Sequence, residues 1–133
     1  FISVKESDRP AALEVVRQLQ RLGFNIQATS GTAAYLRDHG VNAETVNKVL
    51  EGRPHVVDHI KNGQVALVVN TVSTASSHAD SLSIRREALN KGLAYCTTIR
   101  GARAAVIGIE AILKKELTIR SLQEYHGAGS TER

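Results

Sequence analysis

The sequence predicts an α/β fold, a doubly wound three-layer sandwich in which a mostly parallel sheet carries helices on both faces. Three observations lead to this reading. Strand-like and helix-like segments alternate about five times along the chain, with short connections. Residues 65–69, Val-Ala-Leu-Val-Val, form a continuous apolar run, the pattern of a central strand covered on both sides. Ala12, Val15, Val16, Leu19 and Leu22 recur at helical spacing and give one helix a stripe to bury. With right-handed crossovers, ligands gather beyond the carboxyl ends of such strands, where strand order reverses.

Each element has a local reason. Residues 1–4 read as the first strand. Ser7 or Asp8 caps the next helix, Pro10 stands in its first turn and Gly23 stops it. Residues 24–28 read as the second strand, and residues 32–39 as a short helix closed by Gly40. Residues 44–50, ETVNKVL, are expected to form a third strand. A helix follows from near Pro54 to Gly63, then the apolar strand at 65–69. A serine- and threonine-rich loop over 70–77 leads to a helix at 80–91, a strand at 93–98 and a helix at 103–115. Residues 117–125 are ambiguous. Residues 1–125 are read as one domain and residues 126–133 as a flexible tail.

Composition narrows the function. The chain has 133 residues with one cysteine, Cys96, so no intrachain disulfide forms, which fits a reducing cytoplasm. No apolar run approaches the ~20 residues that span a bilayer, so no membrane partner is expected. The chain opens Phe-Ile-Ser-Val directly in a strand and is expected to be a domain of a longer polypeptide. A net charge of +4 without a basic stripe, and with aromatics at 4%, favours a small anion over nucleic acid as ligand.

The residues with chemistry to offer fall at strand ends. Thr29, Ser30, Gly31 and Thr32 join the second strand to its helix, where free N–H groups and the helix dipole attract an anion. Arg9, following Lys5 after the first strand, and Lys48 would add positive charge to this phosphate cradle. Thr32 and Lys48 are expected on an exposed edge. Asn70, Thr71 and Ser73 step directly off the apolar strand and could meet the rest of a ligand. His55 and His59 have a zinc-compatible spacing, but no third ligand is identifiable, and they are read as solvent-facing or locally hydrogen-bonded. Cys96 is read as a small core residue. No GxSxG motif and no assignable nucleophile–base pair occurs.

The stretches SVKESDR, QATSGTAAYLRDHGV, VNKVLEGRPHVVDHIKNG, VVNTVS, IRREAL and AYCTT resemble the carboxyl-terminal domain of carbamoyl-phosphate synthase large subunits. The resemblance covers about residues 1–125 and implies a methylglyoxal-synthase-like fold with a five-stranded parallel sheet. It implies an allosteric domain that binds a nucleoside monophosphate, UMP or IMP, without catalysing a reaction itself. Arg9 stands where a lysine is usual, and with Thr29, Thr32 and Lys48 it matches effector-phosphate positions. Asn70 matches a nucleoside contact, and Tyr95 and Thr97 match positions that meet ornithine. The chain departs from the family pattern at Val72, at the segment 74–76 and at Cys96. The resemblance also implies a parent enzyme, an ATP-dependent ligase using Mg or Mn, that makes carbamoyl phosphate for pyrimidine and arginine biosynthesis. Its partners would be the other domains of the large chain and a glutaminase small chain. Two alternatives remain: a structural or oligomerisation domain with a vestigial pocket, and a methylglyoxal-synthase-type lyase. The lyase would need a carboxylate base where this chain has Arg53, and a guanidinium cannot take a proton.

Overall fold

A computed structural model describes residues 1–72, 75–114 and 121–127. Five short strands, β1 (Ile2–Ser3), β2 (Gln27–Ala28), β3 (Glu44–Thr45), β4 (Leu67–Asn70) and β5 (Ala94–Cys96), form one sheet in the order β3-β2-β1-β4-β5. Every pairing in it is parallel, with Ile2 opposite both Ala28 and Val69. The helices are α1 (Arg9–Arg21), α2 (Ser30–Asp38), α3 (Val56–Lys61), α4 (Ala75–Asn90), α5 (Ile99–Leu113) and α6 (Leu122–Gly127).

Two apolar clusters sandwich the sheet. The first joins α1, α2 and α5 to Ile2, Ala28, Leu67 and Val69. The second joins α3 and α4 to Val68. Leu67 and Val69 thus face one layer and Val68 the other, as the period of two along a strand requires. This is the doubly wound sandwich that the apolar run at 65–69 implied.

Strand order reverses between β1 and β4, because the chain runs outward from β1 to β3 and then returns to β4. The loops after β1, β2 and β4 therefore open on one edge.

Several boundaries differ from expectation, β2 and β5 being shorter than the strands expected at 24–28 and 93–98 and α2 beginning at Ser30. The third strand stops at Thr45; Asn47 then bridges to His55, and residues Val49–Glu51 form a 3₁₀ turn. The helix expected at 80–91 begins at Ala75. The helix expected from Arg103 begins at Ile99, because the Thr98 hydroxyl accepts the Gly101 N–H and caps it. α6 begins within the ambiguous segment and extends to Gly127, two residues into the expected tail. Residues 128–133 lie outside the described residues.

Candidate functional site

A cavity of about 270 Å³ lies at the topological switch point. Arg9, Thr29, Gly31, Thr32, Lys48, Asn70 and Thr71 line it, together with Lys5. Seven of the residues selected for a phosphate-and-nucleoside site thus meet in one place. Ser3, Glu6, Asp80, Ser81 and Ile84 line it too and were not selected.

The positive end is built from helix starts and from Arg9 and Lys48, which pair with no carboxylate among the described residues. Thr29 is the N-cap of α2, but its side chain makes no capping bond. The first intrahelical bond runs from Ala33 N–H to the Thr29 carbonyl, which leaves the N–H groups of Ser30, Gly31 and Thr32 without a helical acceptor. The Arg9 guanidinium lies directly over this end. A Cβ placed on Gly31 would stand 2.7 Å from Arg9 Nη2. Arg9 Nε is buried without a partner, and Arg9 pairs with no carboxylate among the described residues. It is also the first residue of α1, so the cation faces the positive ends of two helices. Lys48 joins from a loop, at the N-cap of the 3₁₀ turn and not from a strand.

The threonine hydroxyls do a different job from the one expected. Thr29 and Thr32 are buried, 4% and 2% exposed, and not on an exposed edge. Thr29 Oγ1 donates to Ser3 Oγ, 3.0 Å away. Thr32 Oγ1 accepts from Val4 N–H at 3.2 Å and donates to the Val4 carbonyl. Both tie α2 to the end of β1, because buried polar groups need partners. The donors left facing the cavity are therefore the backbone N–H groups at the start of α2, Arg9 and Lys48. Ser30 is exposed and its side chain is not in the cavity wall. Thr32→Ala should leave the Val4 N–H unsatisfied in a dry site and cost about 1–3 kcal/mol. Urea denaturation would measure that loss.

The opposite wall is built on β4 and α4. Thr71 N–H donates to the Ser3 carbonyl, and its hydroxyl accepts from Lys5 N–H. Asn70 is 5% exposed, and its amide nitrogen donates to Ser81 Oγ at 2.9 Å and to Tyr95 Oη at 2.8 Å. Asp80 Oδ1 is buried without a partner, an acceptor left for a donor. Ser73 lies outside the described residues. Tyr95 and Thr97 do not enter this cavity. They line a second one of about 240 Å³ with Val72, His78, Leu82 and Arg85, and Asn70 and Ser81 form the shared wall.

Residues set aside earlier have structural explanations. Of the two readings for His55, solvent-facing or locally hydrogen-bonded, its burial excludes the first, and its backbone N–H donates to Asp58 Oδ2 at the start of α3. No group of three metal-binding side chains occurs among the described residues. The Arg53 guanidinium grips Asp58 and, with this backbone bond, holds that carboxyl well below the usual carboxylate range. Arg53 is not in the cavity wall. Cys96 packs against the first apolar cluster, and burial pushes its thiol up, away from the reactive thiolate.

The family model for the MGS-like domain matches residues 11–97. The chain belongs to the MGS-like domain family. Several relatives are named carbamoyl phosphate synthase large chain. It is 46% identical over 127 residues to a carbamoyl phosphate synthase large chain of Myxococcus xanthus, covering 96% of this chain and 12% of that protein. It is 48% identical over 126 residues to the large chain of Xylella fastidiosa strain 9a5c, covering 95% and 12%. The large chain of Methanothrix thermoacetophila is 45% identical over 126 residues, again 95% and 12%. This MGS-like domain therefore spans about 12% of the length of the curated relatives it matches. The matched residues include α2 and β4, and Asn70, Tyr95 and the Thr29–Thr32 loop lie among them.

Proposed function

We propose that this MGS-like domain is an allosteric effector module of a carbamoyl phosphate synthase large chain and holds a nucleoside monophosphate by its phosphate. The observation that carries the reading is Arg9, which begins α1, lays its guanidinium over the start of α2 and pairs with no carboxylate among the described residues. That arrangement is repulsive until an anion sits between the charges. The unpartnered Asp80 oxygen and the Asn70 amide supply the polar end that a sugar or base requires.

In this reading the chemistry belongs elsewhere in the parent protein. ATP and its Mg or Mn would bind other domains of the large chain, and ammonia would come from a glutaminase small chain in the cytoplasm. Ornithine would meet Tyr95 and Thr97 at the border with a neighbouring domain. Exposed apolar side chains on α5, Ile107, Ile112 and Leu113, offer a surface for such neighbours. Effector control follows when the phosphate site has unequal affinity in two states of the enzyme.

Calorimetric titration tests the proposal. UMP or IMP should bind far more tightly than uridine or inosine, with affinity falling as salt rises because the site is cationic. Equal affinity for nucleoside and nucleotide would contradict a phosphate-centred site. No heat with any of them would favour a structural domain.

A further inference from the structure

The wall between the two cavities is a chain of hydrogen bonds. Asn70 and Ser81 line both. One hydrogen of the Asn70 amide is directed to Ser81 and the other to the Tyr95 hydroxyl. The Tyr95 ring in turn carries the Arg85 guanidinium, 5.3 Å from its centroid. Tyr95 lines only the second cavity, yet it holds a side chain of the first.

An amide has two donor hydrogens and one acceptor oxygen. With both hydrogens engaged, Asn70 has only its carbonyl oxygen to offer a ligand. Removing the Tyr95 hydroxyl frees one hydrogen and lets the amide rotate about its last torsion, which is broad and roughly two-fold. Asn70 would then present donor or acceptor without preference. Buried amide orientation is a matter of the surrounding partners, and here one partner comes from the neighbouring cavity.

We propose that Tyr95 is a positioning residue for the first cavity: through Asn70 it sets how tightly the non-phosphate part of a ligand is held, so ligand discrimination there depends on the second cavity. This rests on the effector reading above and adds a residue that acts without touching the effector.

The experiment titrates the 133-residue chain with UMP and, separately, with inorganic phosphate. Tyr95→Phe keeps the ring and its contact with Arg85 but loses the hydroxyl. It should weaken UMP about five- to tenfold, the worth of one neutral hydrogen bond, while phosphate changes less than about twofold. A structural role would weaken both together, and that result overturns the proposal, as does unchanged UMP affinity. In the unmodified chain, UMP should displace the Tyr95 ring resonances while inorganic phosphate leaves them in place. UMP binding without displacement overturns it as well. If the unmodified chain holds neither UMP nor phosphate, the effector reading itself falls, and the role of Tyr95 falls with it.

Discussion

Arg9→Gln should lower affinity for UMP by about 10- to 100-fold while leaving the unliganded protein as stable as before, or more so. The affinity loss follows from removing a charge-assisted contact worth about 1.5–3 kcal/mol, with each 1.4 kcal/mol a factor of ten. The stability arm is the more diagnostic. Most arginines on a helix surface contribute packing or an ion pair, and their loss destabilises. Arg9 has no carboxylate partner among the described residues, its Nε is buried without an acceptor, and it begins α1 while facing the start of α2. In the free protein it is a cation at two positive helix ends, so its removal relieves repulsion. Thermal unfolding without ligand and calorimetry with UMP, in the same low-salt buffer, separate the two arms. A large drop in melting temperature with unchanged affinity would make Arg9 a structural residue and remove the main support for an anion site.

The edge where this happens could be read from the chain because it depends on strong local signals. The apolar run at 65–69 and the loop from Thr29 to Thr32 mark strand ends, and a doubly wound sheet brings those ends together. What each side chain does there could not be read, because that is set by partners distant in sequence. The Thr32 hydroxyl is occupied by Val4, 28 residues away, a partner that nothing near Thr32 in the chain announces. Asp80, Ser81 and Ile84 escaped notice for a related reason. They fall inside the helix expected at 80–91, but nothing in the local sequence fixes which of its faces meets the cavity. Lys48 lines the cavity, but from the start of a 3₁₀ turn and not from the strand its segment suggests. Its segment has strand-like residues, yet Glu44 and Thr45 form an exposed edge and pairing ends there. Thr98 was the missed signal that sequence did contain, since a threonine three residues before a helical glycine is an ordinary cap.

Gly31→Ala separates the presence of the Arg9 charge from its placement. The added Cβ would stand 2.7 Å from Arg9 Nη2 and 3.6 Å from Cζ, and the first of these is too close to persist. Gly31 lies in the first turn of α2, where alanine is the better helix former by up to about 1 kcal/mol, so the fold is kept or slightly stabilised. The crowded atoms belong to the far end of a flexible side chain, and Arg9 yields by swinging out of the cradle. Charge is unchanged, but the guanidinium no longer shares an anion with the N–H groups of α2. UMP affinity should fall about tenfold, the loss of one well-placed charge-assisted bond. Ser30→Ala, on the same turn but outside the cavity wall, should leave affinity as it was. The combination of Arg9→Gln with Gly31→Ala is the sharpest measurement. Both changes act through one guanidinium, so the double variant should bind no more weakly than Arg9→Gln alone. Additive losses would mean that glycine and arginine serve the ligand independently, and the close approach between them would then have no part in holding the anion.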